Sequence, residues 1–255
     1  MYRINRDIRE YPMELISYFA YRPWDGVSIA DAIARDKTGV VKKAHDCSGG
    51  MHDNTFRGDG KPVKSHPEKV VKILIWDGVD SPIISAAGYL HDAPEDVSEM
   101  ILKEIEDGYP EQVYAIVYRV TKTDDMTIEE HFRLIIVDFD SIILKLADRY
   151  HNLRNMAKNL YLKRPVLQVN PGELKPKPKK PFTKKRLYSY IEETEKFVYK
   201  LGEKISNSDY KYAKEGEKLY KALQEAVFMA KLSLKVPKRV IVRYQRKRIQ
   251  PTLFK

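Results

Sequence analysis

The stretch that restricts this chain most is Asp80-Ser81-Pro82, then Ile83-Ile-Ser-Ala-Ala-Gly-Tyr-Leu90, then His91-Asp92. A capping residue followed by proline marks a helix start, because the first-turn N–H is not needed there. The run that follows is largely apolar and suits a buried helix. It is far shorter than the roughly 18 residues of a membrane span. A buried helix that ends in His-Asp places polar groups where a site can form.

Similar punctuation recurs through the middle of the chain. Ser98 can cap a helix over 99–107 that Gly108 stops, and Pro110 opens a pattern ending near Thr121. Thr127-Ile-Glu-Glu130 has capping-box spacing before Phe132, Leu134 and Ile135. Ser141 is placed as the cap of a helix running from Ile142 to about Ala157. Strand signals are few, so the predicted fold class is mainly α.

The order of these features divides the chain into an N-terminal extension (1–40), a helical core (41–160), a Pro/Lys-rich loop (161–182) and C-terminal helices with a basic tail (183–255). Asn170-Pro-Gly-Glu-Leu-Lys-Pro-Lys-Pro-Lys-Lys-Pro181 is low-complexity; its prolines forbid helix and its lysines repel one another. After it, 184–205 and 209–234 read as two helices expected to pack on the core. Leu187, Tyr190, Ile191 and Leu219, Leu223, Val227 recur at helical spacing there.

Composition enters as a set of exclusions. A single cysteine, Cys47, rules out an internal disulfide and a cysteine-rich zinc cluster. No apolar run suggests a membrane span, and the N-terminus lacks the apolar stretch of a signal peptide, so a cytoplasmic protein is expected. The net charge of +10 favours anionic partners, nucleotides or nucleic acid among them, and much of the excess lies beyond Leu162. No sequence feature speaks to oligomeric state.

The chemistry-bearing residues come in three pieces: Lys64-Ser-His66-Pro, Tyr89-Leu-His91-Asp92-Ala-Pro-Glu95-Asp96 and Lys145-Leu-Ala-Asp148-Arg-Tyr-His-Asn152. Two imidazoles and two carboxylates make a mixed N/O donor set suited to one divalent transition metal, such as manganese, iron or zinc. Such an ion lowers the pKa of water and polarises a phosphoryl group. Glu95 and Asp96 follow the His91-Asp92 pair within about one turn, where a carboxylate can orient or deprotonate water. Asn152 lies one helical turn beyond Asp148, on the same face.

His66…His91-Asp92…Asp148 resembles the H…HD…D signature of the HD superfamily, and more closely the hydrolase domain of RelA/SpoT alarmone enzymes and small alarmone hydrolases. Arg57-Gly-Asp-Gly60-Lys-Pro62-Val-Lys-Ser-His66-Pro67 resembles that family's R-x-x-G-x-P-x-x-x-H-P. The run from Ala86 to Asp96 resembles A-A-x-L-H-D-x-x-E-D with one extra residue, and 144–154 resembles K-L-A-D-R-x-x-N-x-R.

The resemblance implies an HD-type helical fold, a manganese ion and removal of pyrophosphate from the 3′ position of (p)ppGpp. It makes His66, His91, Asp92 and Asp148 the metal ligands and Glu95 and Asp96 the water-activating pair. It places Arg57 and Asn152 on the nucleotide. The chain departs from the family at Gly58, where a second basic residue is usual, which leaves base preference open, and at Val97, where threonine is usual after the Glu-Asp pair. Nothing resembling a synthetase domain follows, so hydrolysis alone is expected.

Other readings stand beside this one: an HD phosphohydrolase acting on another nucleotide, or a nucleic-acid-binding protein that uses the basic stretch 235–248 on an HD scaffold. His45-Asp46 and His52-Asp53 are read as bystanders, since no apolar helix presents them and no Glu-Asp pair follows. His151 is expected to pack or hydrogen-bond on the Asp148 helix, and His131 to sit on a solvated helix face.

Overall fold

A computed structural model describes residues 15, 17–19, 21–51, 65–98, 100–162 and 183–235. Arg57, the His52-Asp53 pair, the Pro/Lys run and the basic tail after Lys235 lie outside the described residues. Every regular element among the described residues is helical, as the apolar periodicity predicts.

Local sequence sets most of the helix ends. Short helix α1 (Ile29–Arg35) is capped by Ser28, and α2 (Val40–Met51) follows Gly39, whose φ is 74°. Helix α3 (Ser65–Asp77) ends at Gly78, which adopts φ 101°. There the Val79 N–H bonds back to the Leu74 carbonyl at 2.9 Å, a closing turn that needs a left-handed residue and therefore glycine. The turn delivers the chain to Ser81, whose hydroxyl accepts from the Ile84 N–H and starts α4 (Pro82–Leu90). One short turn, α5 (Ala93–Asp96), and helices α6 (Met100–Gly108), α7 (Glu111–Val120) and α8 (Ile128–Ile135) follow. Thr127 and Glu130 close a full capping box on α8.

The longest helix, α9 (Phe139–Leu162), begins earlier than expected. Asp138 rather than Ser141 caps it: the Asp138 carboxylate accepts both the backbone N–H and the hydroxyl of Ser141. A carboxylate also complements the positive helix end, so the acid outcompetes the hydroxyl three residues later. Beyond the Pro/Lys run, α10 (Lys184–Glu193) continues through a π-turn (Thr194–Val198) into α11 (Tyr199–Ser206), close to the expected first C-terminal helix. The second, α12 (Ala213–Lys235), starts four residues later than 209 because Asp209–Tyr212 turns before the helix begins.

Helix α4 is the centre of the molecule. Ile84 through Leu90 are all buried, and α2, α3, α7 and α9 surround it. Small residues make this possible: a side chain at Gly88 would meet Val71 at 3.0 Å and Leu74 and Leu144 at 3.6 Å. Helix α9 lies against α4 on one side and α12 on the other. The N-terminal segment joins the same core through Leu15, Phe19 and Trp24. Arg154 of α9 holds that segment by donating to the carbonyls of Tyr18 and Tyr21 at 2.5 and 2.6 Å.

Helices α11 and α12 form an antiparallel pair notched by glycines. A Cβ at Gly202 would fall 2.2 Å from the Tyr220 ring, and one at Gly216 would fall 2.8 Å from Ile205. At an open helical position alanine is favoured over glycine by about 1 kcal/mol. Here the clash opposes it with an overpacking cost of roughly 1–3 kcal/mol. Gly202→Ala is therefore expected to lower the melting temperature, whereas the same change made on a Tyr220→Ala background is expected to raise it. Thermal unfolding of the four proteins measures both signs.

His131 is a correction to the sequence reading. It is only 2% exposed, and its Nε2–H donates to the Val120 carbonyl at 2.9 Å. Burial, reinforced by Lys145, pulls its pKa down from 6.5 to about 4. A base with a depressed folded pKa contributes stability fully above the unfolded value and loses it as pH falls through the folded one. Acidification from pH 6.5 to 4 is therefore expected to cost roughly 3 kcal/mol through this group. Urea titrations across that range should show a smaller loss in His131→Gln than in the wild type.

Candidate metal centre

Three elements bring the polar cluster together. His66 is the second residue of α3, and Pro67 after it fits the helix first turn. His91 and Asp92 occupy the junction between α4 and α5, where one helix ends and the next begins at once. Asp148 sits in the middle of α9, with Lys145 one turn before it and Asn152 one turn after.

The geometry converges on one point. His66 Nε2 lies 3.1 Å from Asp148 Oδ1 and 3.3 Å from Asp92 Oδ2. His91 Nε2 lies 3.1 Å from Asp92 Oδ1 and 3.8 Å from Asp148 Oδ1. Donor atoms of His66, His91 and Asp148 all fall within 4.8 Å of one another, and all three residues are buried. Lys145 Nζ is 3.6 Å from Asp148 Oδ2, and Asn152 donates to Asp148 Oδ1 at 2.5 Å.

Each imidazole is held from behind. His91 Nδ1 lies 2.7 Å from the Gly88 carbonyl, which can only accept, so Nδ1 carries the proton. His91 Nε2 is then left buried without an aligned hydrogen bond, and Asp92 Oδ1 at 3.1 Å and Asp148 Oδ1 at 3.8 Å attract it electrostatically. His66 Nδ1 lies 2.6 Å from Nδ1 of His151, so one of these two nitrogens donates to the other. With both Nδ1 atoms engaged, both Nε2 atoms face the carboxylates.

The charges of the cluster shape one another. Burial alone would raise the Asp148 carboxyl, yet His66, His91 and Lys145 beside it hold it well below the usual range. Burial opposes charging of His91, and Asp92 and Asp148 outweigh it, lifting the imidazole to about 9. A cation among these four groups would take the place of that proton. The orphaned His91 Nε2, the facing His66 Nε2 and the flanking carboxylates make a donor set of the kind that divalent transition metals take.

Around the centre, Glu95 and Asp96 lie on an exposed rim. Glu95 accepts from the Lys122 N–H at 2.8 Å, tying α5 to the end of α7. Partial desolvation raises its carboxyl above the ordinary glutamate value, with Lys145 opposing and Asp92 and Asp148 adding to the rise. His45 and Asp46 pair with each other at 3.0 Å at the surface and are not part of the buried trio.

Two residues beyond the proposed ligands also belong to this neighbourhood. His151 is one. Arg149 is another: it is buried, stacks 3.9 Å over the Tyr190 ring and binds Glu193, while its Nε and Nη1 have no partner. Tyr190 and Glu193 come from α10, so a C-terminal helix closes against the Asp148 helix. The K-L-A-D-R motif contains Arg149, but its partners lie more than 40 residues away, beyond the reach of local pattern.

Comparison with known proteins agrees with this arrangement. A family described as HD domain matches residues 44–169. A Synechocystis protein named probable guanosine-3′,5′-bis(diphosphate) 3′-pyrophosphohydrolase is 33% identical over 117 residues, which is 42% of this chain and 15% of that protein. A Streptomyces antibioticus protein named GTP pyrophosphokinase is 35% identical over 133 residues, 49% of this chain and 15% of its own length. The Escherichia coli K12 protein named bifunctional (p)ppGpp synthase/hydrolase SpoT is 29% identical over 135 residues, 49% of this chain and 19% of its own. The chain thus spans less than a fifth of the length of these curated relatives. Among the described residues, no helix is long and apolar enough to cross a membrane. Residues 44–169 are thus an HD domain, and this part of the chain is similar to the corresponding part of the RelA/SpoT-type relatives.

Proposed function

We propose that this protein is a metal-dependent (p)ppGpp 3′-pyrophosphohydrolase, acting in the cytoplasm on a small nucleotide substrate. The observation that carries the reading is the convergence of His66 Nε2, His91 Nε2 and Asp148 on one buried point, with the half-buried Asp92 carboxylate within 3.3 Å of both imidazoles and the two Nδ1 atoms turned away. These four residues are the proposed ligands, and Mn2+ is the proposed ion. When bound, the ion supplies Lewis-acid polarisation of the phosphoryl group and a more acidic water.

The chain's own groups do the rest. Glu95, with Asp96 beside it on the rim, takes the proton from the attacking water. Its hydrogen bond from the Lys122 N–H fixes one carboxylate oxygen and leaves the other to act. The water oxygen forms a bond to the phosphorus attached to the 3′ oxygen. The bond from that phosphorus to the 3′ oxygen breaks, the 3′ oxygen takes a proton, and pyrophosphate leaves with GDP or GTP as the other product. Lys145, poised beside Asp148, and Arg149, with two unpartnered N–H groups, supply positive charge for the leaving group. Asn152, anchored on Asp148 and one turn along the same face, contacts the nucleotide, and Arg57 is proposed to do the same.

Purified protein with Mn2+ is expected to release GDP and pyrophosphate from ppGpp. Asp148→Ala is expected to lose about 100-fold or more in turnover, since it removes a ligand that also anchors Asn152. Metal retention without ppGpp turnover would sink the alarmone assignment and point to a different phosphorylated nucleotide.

A second expectation concerns stability. A ligand at 100 times its dissociation constant stabilises by about 2.7 kcal/mol. For a chain of this size that is a rise in melting temperature of roughly 5–10 °C. Mn2+ added to EDTA-stripped protein should give this shift in the wild type and little of it in Asp148→Asn, read by differential scanning fluorimetry.

A further inference from the structure

One helix grips both edges of the His66 ring. Asp148 and His151 stand one turn apart on α9. Asp148 Oδ1 lies 3.1 Å from His66 Nε2, and His151 Nδ1 lies 2.6 Å from His66 Nδ1. The centroids of the two imidazoles are 4.8 Å apart and the rings are tilted by 35°. Both histidines are buried.

The proton count on these rings matters to a metal. A neutral imidazole has one N–H and one lone pair. A ligating His66 Nε2 must present its lone pair, so the proton sits on Nδ1. A buried N–H without an acceptor is costly, and the group facing this one is His151 Nδ1. When His151 accepts there, its own proton sits on its Nε2. In the opposite arrangement His151 Nδ1–H donates to His66 Nδ1. Neutral His66 then carries its proton on Nε2, donates it to Asp148, and has no lone pair to offer a cation there.

His91 has no such choice. Its Nδ1 faces the Gly88 carbonyl, which only accepts and so fixes one tautomer. The partner behind His66 can donate or accept. His66 is therefore the ligand whose readiness depends on the side chain behind it.

We infer that His151 is a positioning residue for the metal centre. Its Nδ1 accepts the His66 Nδ1–H and so holds the His66 ring in the orientation and tautomer that turn the Nε2 lone pair toward the cation. His151 is not among the buried trio of donors and acts through His66. The inference rests on the metal centre proposed above.

Mn2+ titration of EDTA-stripped protein, followed by calorimetry, separates this role from space filling. His151→Phe keeps a ring and loses the acceptor. His151→Asn loses the ring and keeps an oxygen acceptor at the same distance along the side chain. The Mn2+ Kd is expected to rise about 10–100-fold in His151→Phe, the usual loss when a ligand's supporting partner is removed. It is expected to stay near the wild-type value in His151→Asn. The reverse order would show that the ring only fills space and would overturn the inference, as would equal affinity in all three proteins. Absence of Mn2+ binding to the wild type would instead remove the metal centre itself, and this role with it.

A second measurement needs no variant and serves should His151→Phe unfold. In 15N-histidine NMR of wild-type protein loaded with diamagnetic Zn2+, His66 Nδ1 is expected to carry the proton and His151 Nδ1 to be bare. Protonation the other way round would contradict the assignment.

Discussion

Two carboxylates and two imidazoles meeting at one point set the constraint around which the rest of the structure is arranged. Desolvating any one of these charges alone would be costly. Together they compensate, which is why Asp148 stays ionised although buried and why His91 tends toward its protonated form. The orientation of the rings decides what the cluster can do. The Gly88 carbonyl and His151 each occupy an Nδ1 atom, leaving both Nε2 atoms directed at the carboxylates. Backing partners of this sort set ligand geometry and basicity in metal sites generally.

The fold can be understood as the means of holding three chain segments at that point. Helix α4 is buried on every side and ends at the cluster, so its position is fixed by packing rather than by the polar groups it delivers. Helix α9 carries Asp148 in its middle, where fraying at either end does not reach it. Elements outside the HD domain then use α9 as a ridge: the N-terminal segment against Arg154, and α10 against Arg149. Both contacts place aromatic rings on guanidinium groups, with Tyr18 over Arg154 and Tyr190 over Arg149. The peripheral segments thereby reach the edges of the centre without supplying its proposed ligands.

Local chemistry was legible in the sequence wherever the deciding groups are close along the chain. Ser81 before Pro82 and the Thr127–Glu130 pair announce helix starts, and the helices begin there. The juxtaposition of His66, His91, Asp92 and Asp148 was legible from three ordered motifs. Competition between neighbours was not: Asp138 and Ser141 can both cap, and only the folded chain shows that the acid does. Long-range partners were also hidden. His131 sits among charged residues in sequence, but its acceptor is the Val120 carbonyl across a turn, which makes it a core residue. His151 follows Asp148 by three positions, yet its partner His66 lies 85 residues earlier. Arg57, a substrate contact by resemblance, lies outside the described residues.

The central claim is that one divalent cation is held by the two histidine Nε2 atoms and the carboxylates. Anomalous diffraction at the manganese edge, from crystals grown with Mn2+, tests it most directly. The account predicts a single strong peak within bonding distance of His66 Nε2, His91 Nε2 and an Asp148 oxygen, with Asp92 beside it. A manganese peak elsewhere, for instance on the surface pair His45-Asp46 or the exposed rim at Glu95-Asp96, with none between the two imidazoles, would contradict it.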